Sequence, residues 1–380
     1  MRATTSNPGR MIWFAMLGSF ALNLYLYYTH RQGQLYSTTA VSAANYLYSG
    51  TAEPASASPE TPTAQPLSQS GADVIDLYIR TLAASITGYA LQTAAVVKGA
   101  TGIEIAEQPF NDKLRKFGRD WPRYGYTMVG MHRLGHLRTA LETVLGVGAV
   151  DSNDAGGAIS LPANIAGDYL ECGVWRGGAS IFATGVLTAW TGFGAVSEAD
   201  ASREVHVCDS FNGLPQASTA ADHNEWNEMH YLEVSLATVR SNFARFDLLL
   251  EERVHFHVGY FQFSLPRVRA DLVQRQRRLA VLRLDGDMYE STLDELFNLY
   301  DLVSVGGFIL IDDWSIPVCR SAVEDFMKMH GITTAVVEDA DVAYWRKTAD
   351  VVVDYDWYVN WNSTRHIAGA KKQQPKRQIA

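Results

Sequence analysis

Five short apolar segments, separated by longer amphipathic stretches, constrain this chain more than any other feature. They read DYLEC (168–172), EVHVC (204–208), VHFHV (254–258), LAVLRL (279–284) and GFILI (307–311). Each has the length of a strand rather than of a buried helix. Between them lie helical candidates, Ala179 to Trp190, Leu236 to Phe246, Ser291 to Leu302 and Pro317 to His330. This alternation predicts an α/β domain with an open, mostly parallel sheet and helices on both faces. Upstream, Asp73 to Lys98 has helical length, and Met131 to Leu145 has helical periodicity. The expected organisation is a helical region over 73–150, the α/β domain over 151–350 and a C-terminal tail over 351–380. KKQQPKR (371–377) would be its solvated basic end.

The first seventy residues read differently. Met11 to Tyr28 is an uncharged run, MIWFAMLGSFALNLYLYY, with tyrosines clustered at one end. Eighteen helical residues span about 27 Å, enough for a bilayer core. The reading is a short N-terminal tail (1–10), a single-pass signal anchor (11–29) and a disordered stem (30–72). A cleaved signal peptide is the rival. Arg2 and Arg10 before the run bias the N-terminus slightly toward the cytosol, which would put the domain in the ER or Golgi lumen. Thr51 to Gly71 holds four prolines and no aromatic residue, so it cannot offset its ordering entropy by burial. Asn362-Ser363-Thr364 is a glycosylation sequon, of consequence only if this end faces a secretory lumen.

Composition excludes several classes. Of 380 residues, 47% are hydrophobic, enough for a sizeable core, and 19% are charged. A net charge of −9 argues against a general nucleic-acid binder. Cys172, Cys208 and Cys319 lie too far apart in sequence for a zinc motif and read as buried thiols.

In an open parallel sheet, ligands bind beyond the carboxyl ends of the strands. Three such ends carry chemistry here. Glu171-Cys172-Gly173-Val174-Trp175-Arg176-Gly177-Gly178 is E-x-G-x-x-x-G at a strand-to-helix turn. The glycines allow a tight turn, and the helix start offers N–H groups to an anion. The acid suits a cationic or amine-bearing ligand. S-adenosylmethionine, with its ammonium, carboxylate and sulfonium, fits that mixture. The spacing is not G-x-G-x-x-G, which disfavours a dinucleotide. Asp209, closing the second strand before Ser210, can accept both hydroxyls of a ribose, or merely cap a turn. Finally, LDGD (284–287) and IDDW (311–314) bring acids to adjacent strand ends. Carboxylates so placed repel, and an all-oxygen set suits Mg²⁺ or Mn²⁺. Asp294 and Asp301 fall in or near a helix and read as solvated.

These stretches resemble the macrocin O-methyltransferase family of sugar methyltransferases. The matching segments are TMVG (127–130), YLECGVWRGGAS (169–180), VHVCDSFNGLP (205–215), SNFARF (241–246), LAVLRLDGDMYESTLDEL (279–296) and VGGFILIDDW (305–314). The likeness covers roughly Phe117 to Arg346 and none of the anchor or stem. It implies a class I methyltransferase (Rossmann-like) fold, S-adenosylmethionine as donor and Mg²⁺-dependent transfer to a sugar hydroxyl. The metal acids fall on Asp285, Asp312 and Asp313. The donor turn falls on Glu171, Gly173, Val174, Trp175, Gly177 and Ser180, and the ribose acid on Asp209, beside Ser210. Catechol-type enzymes carry a lysine three residues after the first metal acid, and here that position is Met288. Base candidates are therefore Asp285 itself and His230, in the stretch Phe211 to Leu232 expected to cover the substrate. Glu233 would hold a sugar hydroxyl. His206, His255 and His257 read as structural. A phenol or other diol as acceptor, or a non-catalytic binding protein, are the alternatives. A homo-oligomer is allowed. The segment Asp151 to Ala166, extra to the family pattern, and the anchor leave a macrolide acceptor in doubt and favour a glycan.

Overall fold

The computed structural model describes residues 69–98, 104–147, 164–194, 196–197, 202–222 and 226–369. These lie in the second of two units, Pro62–Ala380. The anchor (11–29), the tail before it and nearly all of the stem lie outside the described residues, as does most of the 151–166 segment. Among the described residues, no helix is long and apolar enough to cross a membrane.

The described residues open with α1 (Gln69–Ile86), so helix begins before residue 72. The region expected to be wholly helical also holds a small antiparallel sheet, β1 (Ala95–Lys98), β2 (Glu104–Gln108) and β3 (Trp121–Pro122). The short α2 (Asp112–Phe117) and then α3 (Met131–Leu145) follow. The main domain runs β4 (Asp168–Cys172), α4 (Gly178–Gly192), β5 (Val205–Asp209), α5 (Leu236–Arg245), β6 (Val254–Val258), α6 (Phe261–Gln274), β7 (Leu279–Leu284), α7 (Tyr289–Leu299), β8 (Val303–Ile311) and α8 (Pro317–Met329). A hairpin of β9 (Val337–Asp339) and β10 (Val342–Arg346) closes the sheet, and α9 (Tyr355–Gly369) ends the described chain.

The seven strands order as β6-β5-β4-β7-β8-β10-β9. β4 to β8 pair in parallel, and β10 is antiparallel to both neighbours. Side chains of a strand alternate between faces, so one run feeds two cores. Tyr169, Val207, Val281, Phe308 and Leu310 pack with α1, α3 and α4. Leu170, Cys208, Leu282, Leu284, Ile309 and Ile311 pack with α6, α7, α8 and α9. All six residues of β7 are buried, as expected of a strand covered on both sides. The three cysteines are free and buried.

Two expectations are overturned. The C-terminal stretch is not a tail up to Gly369, because α9 packs its buried Tyr358, Asn362 and Arg365 against the domain. Asp294 is not solvated: it is 2% exposed and receives hydrogen bonds from Arg365 Nη1 at 2.6 Å and Tyr358 Oη at 2.9 Å. Its helical phase faces the core, where a basic residue from α9 meets it. Asp301 is half-buried, held by both guanidinium nitrogens of Arg269. The sequon asparagine is also internal, since Asn362 Nδ2 donates to the Gln262 carbonyl at 3.1 Å.

Candidate active site

The hydrogen-bond ladder runs one step past each strand end, and this stacks the turns side by side. Gly173 N donates to Cys208 O, Asp285 N to Cys172 O, and Asp312 N to Leu284 O, each at 2.9 Å. Acids from distant sequence thereby share one edge. Gly173 is required for this stacking. Its φ is 78°, and a Cβ there would sit 1.8 Å from the Asp285 carbonyl oxygen.

Above this edge opens a cavity. Gly173, Trp175, Asp209, Ser210, Asp285, Asp287 and Asp294 line it, with Met128, Leu214, Pro215, Leu232 and Phe261 as apolar wall. A few convergent polar groups in an apolar wall are the usual make-up of a small-molecule site. Gly213, Leu214, Pro215 and Leu232 bring the stretch after β5 to the cavity wall. Trp175 Nε1 donates to Tyr231 O at 3.0 Å, tying that stretch down, and the Tyr231 ring meets Trp121 at 4.7 Å.

Asp285, Asp312 and Asp313 converge, one carboxylate oxygen from each lying within 4.8 Å of the others. Burial and then the Asp312 charge push Asp285 up to about 8. Burial, Asp287 and Asp285 push Asp313 well above the carboxylate range. Burial would also raise Asp312, but Arg133 and Arg283 outweigh it and hold that carboxyl below its ordinary value. Arg283 spans Asp285 Oδ2 at 2.9 Å and Asp312 Oδ1 at 2.6 Å, while Arg133 grips Asp312 Oδ2. Asp287 adds a fourth carboxylate and donates its N–H to Asp313 Oδ2 at 2.9 Å. Four carboxylates against two guanidiniums leave the cluster short of positive charge. An all-oxygen set with that deficit fits a hard divalent cation.

The other expected residues divide. Asp209 lines the cavity while its oxygens accept from Val174 N at 2.8 Å and Phe211 N at 2.7 Å, clamping two turns together. Glu171 and Ser180 lie beneath the floor rather than in the cavity wall. Glu171 is 1% exposed and bonded to Arg283 Nη1 at 2.5 Å, Tyr169 Oη at 3.0 Å and Ser180 Oγ. Burial raises its pKa, against the pull of Arg283. Val174 and Gly177 serve the turn. His230 and Glu233 do not line the cavity. They are exposed at its rim and bonded to each other at 2.5 Å. His206 and His257 join at 3.1 Å near the opposite end of the sheet.

Arg133 and Arg283 carry no role in the sequence reading, which also counts Asp287 only among the strand-end acids of LDGD and takes Asp294 as solvated. Arg283 carried a signal, being a lone basic residue in an otherwise apolar strand. Asp287 has a φ of 59°, which no sequence cue announces.

Strand order, an antiparallel penultimate strand and a strand-end cavity with a glycine turn define a class I methyltransferase fold. The comparisons name the group within it. Residues 87–347 match the macrocin O-methyltransferase (TylF) family model, so the chain belongs to that family and is an S-adenosylmethionine-dependent O-methyltransferase. It is 38% identical over 284 residues to the mycinamicin III 3''-O-methyltransferase of Micromonospora griseorubida, covering 72% of this chain and 98% of that one. It is 37% identical over 249 residues to the demethyldecarbamoylnovobiocin O-methyltransferase of Streptomyces niveus, covering 64% of this chain and 83% of that one. Among solved structures it resembles the O-methyltransferase NovP, with a TM-score of 0.58 and 34% identity over 72% of this chain and all of that one.

Proposed function

We propose that this chain methylates a sugar hydroxyl of a glycosylated small molecule or glycan, with a divalent cation held by Asp285, Asp312 and Asp313. One observation carries the reading. The three carboxylates meet within 4.8 Å on the same edge that brings Gly173 and Asp209 to the cavity. A relative from Streptomyces olivaceus, 38% identical over 284 residues, supports the sugar acceptor, being named as the 4'-O-methyltransferase of a rhamnosyl-bearing tetracenomycin.

S-adenosylmethionine supplies a methyl group on a sulfonium, and Asp209, Ser210 and Trp175 would hold it. Mg²⁺ or Mn²⁺ supplies a positive field that lowers the pKa of an acceptor hydroxyl. The protein's own residues do the rest. Arg283 and Arg133 keep Asp312 ionised and fix its orientation. Met128, Leu214, Pro215 and Phe261 exclude water around the line of transfer. Asp285 and Asp287 both line the cavity, and Asp285 belongs to the three-acid cation set while Asp287 stands outside it. Asp287 is the first base candidate, with Asp285 as ligand and second candidate. His230, at the rim and bonded to Glu233, is the weaker candidate, and the pair is better suited to touching the acceptor's distal groups.

Methyl transfer from S-adenosylmethionine to a panel of glycosides and catechols tests this. Activity should require a divalent cation, fall with EDTA and favour glycosides. Asp287→Asn should cost about 10²–10⁴-fold in kcat, the usual contribution of a general base. Full activity in EDTA would sink the metal site. Asp287→Asn activity within tenfold of wild type would return the base to Asp285.

A further inference from the structure

We propose that His132, His136 and Asp339 form a second metal site, for a borderline transition dication such as Zn²⁺. The two histidines sit four residues apart on α3, which places both imidazoles on one face. Their Nε2 atoms converge on a single carboxylate oxygen. His132 Nε2 lies 2.9 Å and His136 Nε2 3.0 Å from Asp339 Oδ2. All three ligand atoms fall within 4.8 Å of one another. Two imidazole nitrogens and one carboxylate oxygen are a facial three-donor set, with the fourth tetrahedral position left to water.

The rings are held before any ion arrives. His132 packs on Phe117 at 5.1 Å, His136 on Tyr344 at 5.2 Å, and the two imidazoles meet edge-on at 4.9 Å. Binding would thus cost little side-chain entropy. Side-chain exposures of 36%, 19% and 41% keep the site reachable. The donor chemistry separates it from the cavity cluster. Imidazole ligands select Zn²⁺, Co²⁺, Ni²⁺ or Cu²⁺, whereas three carboxylates select Mg²⁺ or Mn²⁺.

The site would join α3 to the β9–β10 hairpin, two elements far apart in sequence. α3 also carries Arg133, next to His132, and Arg133 reaches Asp312. An ion here would fix the helix that supplies this guanidinium to the active site.

The test uses the full chain without a polyhistidine tag, stripped of metal, with Co²⁺ as the optical probe and Zn²⁺ as competitor. One equivalent of Co²⁺ should develop visible ligand-field absorption, Zn²⁺ should abolish it, and millimolar Mg²⁺ should not. Saturating Zn²⁺ should raise Tm by about 5 °C. The double variant His132→Gln/His136→Gln, and separately Asp339→Asn, should weaken Co²⁺ binding at least ~10-fold. Metal-free Tm, measured on each variant, shows that it folds. Asp313→Asn, which strikes the cavity cluster, should leave the absorption intact. Absence of the Co²⁺ signal from wild type, its survival in the histidine double variant, or its displacement by Mg²⁺ would each overturn the proposal.

Discussion

Arg365 offers the sharpest test of how the cavity is held together. The residue is 4% exposed and its guanidinium reaches four partners: Asp294 at 2.6 Å, Glu290 at 3.1 Å, Gln262 at 2.8 Å and Ser218 at 3.0 Å. Replacing it by methionine keeps most of the volume and removes the charge. Glu290 would keep Ser218 N at 2.9 Å and the Ser218 hydroxyl at 2.6 Å. Asp294 would keep the hydrogen bond from the neutral Tyr358 hydroxyl but lose its guanidinium. Breaking a buried pair from one side costs about 3–5 kcal/mol. At roughly 2 °C per kcal/mol for a domain of this size, Tm should fall by roughly 6–10 °C at pH 8.

The loss should also depend on pH. Burial lifts Asp294 from 3.8 to about 6 even with Arg365 present. A raised acid stabilises the fold below its unfolded pKa and loses that contribution as pH rises through the folded one. Without Arg365 the folded pKa moves higher still. The penalty of the variant should therefore be smaller at pH 5, where Asp294 takes a proton, than at pH 8. Asp294→Asn combined with Arg365→Met should recover more than half of the lost stability, because a neutral pair leaves no orphaned charge. Urea and thermal unfolding of the three proteins at pH 5 and pH 8 supply the numbers. A drop under 1 °C, or equal drops at both pH values, would refute the reasoning.

Two further outcomes follow from the site. Gly173→Ala should abolish donor binding and lower stability by at least about 1–2 kcal/mol from backbone strain alone, since its Cβ would strike the Asp285 carbonyl at 1.8 Å; calorimetry with S-adenosylhomocysteine reads the first effect, and intact affinity would contradict the stacked-turn geometry. His230→Gln should lower kcat less than tenfold while raising KM for the acceptor, as befits a rim residue bonded to Glu233; a thousandfold loss of kcat would restore His230 as the base.

The parallel core of the sheet was legible because its strands are nearly continuous apolar runs. The segments 168–172, 254–258 and 279–284 coincide with β4, β6 and β7, and Met131 to Leu145 with α3. β9 and β10 were not legible. β9 is three residues long, and its turn uses Ala340 at a φ of 57° where glycine or asparagine would have signalled a hairpin. The convergence of Asp285, Asp312 and Asp313 could be read because strand-end acids share an edge in any parallel sheet. Their guanidinium partners could not. Arg133 comes from a helix 179 residues before Asp312, and only the packing of α3 brings the two together. Glu171 illustrates the reverse error. A strand-end acid seemed destined for a ligand, but the register sets it opposite Arg283, which takes it inside. α9 falls in the stretch expected to be a tail, whereas its Arg365 and Asn362 spend their polarity inward.

The clasp between Asp294 and Arg365 also sets an order of events. Asp294 forms part of the cavity wall, and its partner lies 71 residues further along the chain. While the protein is being made, every strand of the sheet and both halves of the acidic cluster leave the ribosome before that partner does. Until α9 docks, the nascent chain lacks the guanidinium and the phenol that meet Asp294 in the folded protein. Any event that detains α9 in this interval, including attachment of a sugar to Asn362 before its amide reaches Gln262, would leave a chain with its sheet formed and its chamber unfinished.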